Sequence, residues 1–310
     1  MFTLQINLFF LTLIVKYLTK KVYLYQNQTK SPYTMKKTKL FLSLFVLATF
    51  LFIGCNSDEN QDQVQEEVSP DVAAKLQAAY FDTSSAKVTT FMGEEGVAVE
   101  DMFFTFAQID ELGEGSNIPN TEHYRTTNLV TGLPRTITVS VSPDLGTLGS
   151  NALDVAINMY NNLGSQLTFQ RVAFGGKGRN KANIEVTEFY ELESGGFITL
   201  GRAAGFPTRK GDPAKGFGIN SRWFELSIAP TVNELAGTMA HEIGHCIGFR
   251  HTDYQTRESC GQNVNEGSAG VGAIYIPGTP TGSDPNSIMQ SCGPAITFNN
   301  NDKNAMLTLY

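Results

Sequence analysis

Basic residues are in short supply in most of this chain. Residues 1–54 hold seven lysines and no acidic residue, so residues 55–310 carry 16 basic against 30 acidic residues, a net of −14 within a chain total of −7. An acidic balance of that size argues against nucleic acid or an anionic lipid surface as a partner. Cysteine is missing altogether between positions 55 and 246, and no internal repeat is visible. The apolar run 40–53 is only 14 residues long, too short for a comfortable membrane span. At 310 residues with 41% apolar content, the chain can bury one large core or two small ones. Histidine is scarce too. There are four, yet three of them fall within the eleven residues 241–251.

That stretch reads His241-Glu242-Ile243-Gly244-His245-Cys246-Ile247-Gly248-Phe249-Arg250-His251. On a helix, residues four apart share a face, so His241 and His245 aim their rings at one point. Glu242 sits one step round, near enough to a metal to touch its water without being a ligand. Gly248 follows where the helix is expected to end, since glycine accepts the left-handed turn that stops one. The turn lets the chain double back and present His251. Three nitrogen ligands leave a fourth position open, the layout of a catalytic rather than a structural zinc site. The bland alternative is a surface helix carrying two histidines, and the added glycine and third histidine at fixed offsets argue against it.

The extended motif resembles the signature of the metzincin metallopeptidases, and the wording HEIGHCIGFRHTD is similar to their bacterial dual-action HEIGH branch. The resemblance implies an α+β fold with a twisted mixed sheet, two main helices and an irregular C-terminal subdomain. It also implies one catalytic Zn2+ held by His241, His245 and His251, Glu242 as general base, and Met289 (in Ser287-Ile288-Met289-Gln290) in a turn beneath the metal. Some relatives place a tyrosine two residues after that methionine. Here the position is Ser291, so no tyrosine ligand is expected. Asp253, two places after the last histidine, is expected either to orient the site by a hydrogen bond or to be an ordinary loop aspartate. His123 lies far away in sequence and reads as structural.

A second pattern opens at Met35. A lysine-rich start, the apolar run 40–53, Gly54 and then Cys55 describe a secretory signal peptide ending at a cysteine, similar to the lipobox of bacterial lipoproteins. Phe52 stands where leucine is usual. On this reading 35–54 is a leader, Cys55 carries the lipid anchor, and 1–34 is a mis-called upstream extension; a pair of N-terminal membrane helices is the alternative. The acidic stretch 55–71 is expected to be a disordered tether. The mature protein is then expected on the bacterial cell envelope, as an outer-membrane lipoprotein facing the exterior or otherwise secreted, and as a monomer. In an oxidising envelope two of Cys246, Cys260 and Cys292 are expected to pair, and Cys260 with Cys292 is the pairing we favour. Cys246 reads as a small buried apolar residue.

Residues 72–134 begin with a short helix and continue as glycine-punctuated segments, expected to form an N-terminal cap or pro-segment. With no cysteine there, a thiol cannot block the metal. Glu100 or Asp101 is conceivable as an acidic plug, but both read more simply as surface carboxylates. The catalytic domain is expected over 135–310. In it we expect a strand at 136–141, a helix over 150–163 capped by Ser150 or Asn151, and strands at 167–173 and 183–189. A cleft-rimming edge strand is expected at 197–206 and a last strand at 216–228. The metal-site helix should open with Thr231 and Glu234 as a capping box, and a final helix should run over 302–309. The edge strand suits an extended peptide, held by main-chain hydrogen bonds. The activity expected is zinc-dependent endopeptidase. A catalytically silent surface lipoprotein that binds a protein or glycan is the rival, and a zinc hydrolase of a non-peptide substrate is a third reading.

Overall fold

The computed structural model describes residues 67–79, 81–112, 123–266, 272–280 and 282–310. The expected leader, the anchor at Cys55 and most of the tether lie outside the described residues. Among the described residues no helix is long and apolar enough to cross a membrane.

Residues 65–310 form one compact unit. Its first helix is α1 (Pro70–Ala78), whose cap Ser69 accepts from the Val72 N–H. A three-stranded meander comes next: β1 (Lys87–Phe91), β2 (Glu94–Val99) and β3 (Met102–Thr105), leading into the short α2 (Phe106–Asp110). After the two-residue β4 (Tyr124–Arg125) come β5 (Arg135–Val141), α3 (Gly146–Asn161), β6 (Leu167–Arg171) and β7 (Ile184–Phe189). The chain continues through β8 (Gly201–Ala203), β9 (Gly216–Asn220), α4 (Val232–Ile247), β10 (Ile274–Tyr275) and α5 (Asn300–Leu309).

Eight strands make one mixed sheet in the order β1-β2-β3-β8-β9-β7-β5-β6. β5, β6, β7 and β9 run parallel, β8 runs antiparallel to β9, and β3 joins β8 in parallel. Apolar and polar residues alternate along β5, and Ile137 and Val139 are fully buried. Helices α3 and α4 pack together. Ala152, Leu153, Ala156 and Tyr160 share the core with Leu235, Ala236, Met239, Ala240 and Ile243. Each large apolar side chain buried there stabilises the fold by about 1.5–3 kcal/mol. Among the described residues of 248–299 there is little regular structure beyond a two-residue strand and one 3-10 turn, which answers to the irregular C-terminal part expected.

Several elements depart from expectation. α3 starts a turn before Ser150, because Ser142 caps a 3-10 turn through the Asp144 N–H and Pro143 opens it, leading straight into the helix. The last strand stops at Asn220 instead of reaching 228. The Asn220 side chain accepts from the Arg222 N–H and bends the chain into a 3-10 turn (Ser221–Glu225) that carries Trp223. The strand expected over 197–206 shrinks to three residues and is no edge, since β3 lies on one side of it and β9 on the other. Residues 87–105, from the expected cap, thus lie within the sheet itself.

Candidate metal centre

The metal-site helix is specified at both ends. At its start Thr231 accepts from the Glu234 N–H, while Glu234 accepts from the Thr231 N–H at 2.8 Å, closing a capping box. At its end Gly248 adopts φ 110°, and its N–H donates to Gly244 O and His245 O. A Cβ there would lie 2.9 Å from Leu129 Cδ2 and 3.0 Å from Thr126 Oγ1, so glycine is needed for space as well as for its dihedral angle. The turn brings Arg250 N–H to Tyr124 O and Thr252 N–H to Met289 O, which carries His251 back under the helix.

All three rings are buried, and each is held by its Nδ1. His241 Nδ1 lies 2.7 Å from Ile288 O, His245 Nδ1 2.9 Å from Phe249 O, and His251 Nδ1 3.0 and 3.2 Å from the two Glu266 oxygens. A carbonyl or carboxylate can only accept, so each Nδ1 is a protonated nitrogen, which leaves each Nε2 free to present a lone pair to a metal. Those lone pairs converge: His245 Nε2 lies 3.0 Å from His241 Nε2 and 3.2 Å from His251 Nε2. Three bare lone pairs at that spacing repel unless a cation sits between them. Asp101 adds an oxygen, and the four donor atoms lie within 4.8 Å of one another. Three imidazoles and one carboxylate oxygen suit zinc. Burial above all pushes His245 down to about 4, which keeps the imidazole neutral, as a metal ligand must be.

Glu242, next along the helix, is 2% exposed. Its Oε1 lies against the main chain of β8, where a Cβ on Gly201 would approach to 2.3 Å. Its Oε2 is buried without a hydrogen-bond partner. Burial first and the Asp101 charge second push its pKa well above the ordinary glutamate range. A carboxyl kept out of water and left unpartnered is poised to take up a proton.

Beneath the helix, Met289 Sδ lies where a Cβ on Gly244 would come within 2.4 Å of it. The turn that carries it hangs from α5: Asp302 accepts from Ser287 Oγ at 2.6 Å and from the Ile288 N–H at 3.2 Å. His123 pairs with Asp302 at 3.1 Å, apart from the other three histidines. Cys260 and Cys292 are joined by a disulfide, and Cys246 is free and buried.

The hydrogen bonds of Asp253 go to serines and not to a histidine ring. Asp253 accepts from Ser259 and from Ser291, tying the disulfide loop to the residues after Met289. The carboxylate on His251 is Glu266, which also accepts from Arg257 at 2.7 Å. Burial would raise Glu266, but His251, then the charges of Arg257 and Arg250, outweigh it and hold the group at about 2. Sequence reasoning missed Glu266 and Asp302, whose roles depend on loop paths with no local pattern. It also set Glu100 and Asp101 aside as surface carboxylates. Their side chains are only 6% and 16% exposed and both enter the site.

Residues 97–310, more than half of the chain, match the model of the dual-action HEIGH metallo-peptidases. Among solved structures, the chain is 14% identical to myroilysin over 60% of this chain and 98% of that one, with a TM-score of 0.39. The high choriolytic enzyme 1 of the medaka fish Oryzias latipes, a hatching-enzyme zinc protease, is also 14% identical, over 56% and 88% of the two chains, with a TM-score of 0.33. Likenesses this slight carry no weight for the fold. No curated protein sequence matches. The family match spans every residue of the metal centre from Asp101 to Met289, and the chain belongs to the dual-action HEIGH metallo-peptidase family and is a zinc metallopeptidase.

Proposed function

We propose that this protein is a zinc-dependent endopeptidase in which His241, His245 and His251 hold the metal and Glu242 is the general base. The observation that carries the reading is the unpartnered, buried Glu242 carboxyl beside three converging imidazole lone pairs. When bound, the ion supplies Lewis acidity to water and to a peptide carbonyl. Glu242 takes the proton from the attacking water and delivers it to the departing amine. The Gly201 main chain fixes where that carboxyl sits, and the Nδ1 bonds of the histidines fix where their lone pairs point. Met289 serves as a hydrophobic base under the helix. The substrate is a protein or peptide in an extended conformation.

Replacing the carboxyl by an amide of the same shape tests the base. The expected outcome for Glu242→Gln is one zinc per chain, as in the parent, with casein cleavage lowered by about 10²–10⁴-fold. Retention of cleavage with zinc bound would remove Glu242 from the mechanism.

The leader pattern at 35–55 supports a location to match: a monomer anchored through an acylated Cys55 on the outer face of the bacterial envelope. Mass spectrometry of the N-terminal peptide should find an acylated Cys55. An uncleaved peptide spanning 54–56 would refute the anchor.

A further inference from the structure

The fourth histidine, His123, stands outside the metal centre and is 1% exposed. Its Nε2 lies 3.1 Å from Asp302 Oδ1, while its Nδ1 is buried without a hydrogen-bond partner. A carboxylate accepts, so Nε2 carries a proton and the polar tie of the ring is that one bond. Asp302 is filled on every side. Its Oδ1 also takes the Ser287 hydroxyl at 2.6 Å, and its Oδ2 takes the N–H groups of Ile288 at 3.2 Å and Asn299 at 2.9 Å. Among the described residues, the donors to Asp302 other than His123 all come from 287–299. His123, which leads into β4, therefore joins this turn and the start of α5 to a separate part of the chain.

The two parts aim different imidazoles. Ile288, pinned through its N–H to Asp302, presents its carbonyl to His241 Nδ1 at 2.7 Å. On the other part, Arg125 of β4 bridges to Phe249, whose carbonyl takes His245 Nδ1 at 2.9 Å. Tyr124 O accepts from the Arg250 N–H, one residue before His251. The rings converge only if these parts keep a fixed relation. The main-chain bond from Thr252 to Met289 is one tie between them, and His123–Asp302 is a second. At the junction lies a cavity of about 10 Å³ lined by His123, Asp302, Phe249, Ile288 and Met289, which gives the turn room to shift when a tie is cut. We propose that His123 is a positioning residue of the metal centre. Through Asp302 and the Ile288 peptide it sets the angle at which His241 meets the zinc. The inference rests on the ligand assignment above, and its test reads metal binding rather than turnover.

The test uses the full chain with zinc, and with cobalt as a visible probe. His123→Leu removes the donor, whereas His123→Gln carries an N–H at about the reach of Nε2. For His123→Leu we expect zinc affinity, measured by competition with a chelator, to fall about 10-fold and the visible cobalt bands to shift. His123→Gln should restore both. Unchanged affinity and bands in the Leu variant, or equal losses in the two variants, would overturn the proposal. A second arm uses the unaltered protein and holds even if the Leu variant folds poorly. Coupling is reciprocal, so zinc must act on His123 as His123 acts on zinc. The chain has four histidines, few enough for isotope-labelled ring nitrogens to be followed one by one. Added zinc should move the His123 signals along with those of His241, His245 and His251. His123 signals that stay put while the other three move would also overturn the proposal. If zinc moves none of the four, the ligand assignment itself fails and this inference falls with it.

Discussion

His251 differs from the other two imidazoles in what holds it. His241 and His245 donate to backbone carbonyls, which their neighbours fix; His251 donates to a side chain, Glu266, that itself depends on Arg257 and Arg250. A carboxylate on the far nitrogen raises the basicity of the ligand and sets its ring angle. Glu266→Gln keeps the shape but halves the acceptor capacity and removes the charge. We expect zinc affinity, measured by competition with a chelator, to fall about 10–100-fold while folding is retained. An unchanged affinity would mean that the loop alone places His251. At this scale the convergence of the three histidines, with Glu242 and Met289 beside them, was legible because it follows from fixed local offsets. Glu266 and Asp302 were not, since each reaches the site from a different element, 15 and 14 residues from the group it holds. Asp101 was visible only as a possibility, because nothing local tells a hairpin turn bound for the metal from one bound for solvent.

Among elements, α4 agrees best between sequence and structure. The Thr231–Glu234 box, the 3.6-residue periodicity and Gly248 all point to one helix, and it runs Val232–Ile247 as those signals require. The box lies about ten residues before His241, so its loss should weaken the helix without disturbing the ligands. Thr231→Ala should cost about 1 kcal/mol, lowering Tm by roughly 2–4 °C, with zinc stoichiometry unchanged. A loss of zinc in that variant would mean that the helix start and the metal centre are coupled. Short elements fared worse. α3 began at Gly146, straight after the 3-10 turn capped by Ser142, rather than at Ser150, and Asn220 ended β9 early; in both places a polar side chain caps the backbone of a turn that local periodicity does not reveal.

In the compact unit 65–310 as a whole, a charge cluster joins the N-terminal meander to the strands around the site. Glu191 pairs with Lys87 of β1 at 2.6 Å and with the buried Arg202 of β8 at 2.8 Å. Burial would raise Glu191, but Arg202 foremost and then Lys87 hold it below its ordinary value near 4.5. A depressed folded pKa means that this stabilisation is complete above pH 4.5 and is lost as pH falls toward the folded value. Glu191→Gln should therefore cost about 2 kcal/mol at pH 7. The gap in Tm from the parent should narrow as pH falls from 4.5 to 3, and calorimetry at pH 7 and pH 3 reads both. An equal gap at the two pH values would rule the cluster out as the acid-sensitive tie. The sheet order itself could not be read from sequence, because β3 and β8 meet across about a hundred residues and their pairing leaves no periodic trace. That pairing bears on how the protein is handled. A chain shortened to begin near residue 135 loses β3 and bares the main-chain donors and acceptors of β8, a ready template for a second copy. Preparing the protein by truncation therefore invites self-association at β8, beside Glu242, whereas the longer chain keeps that strand covered.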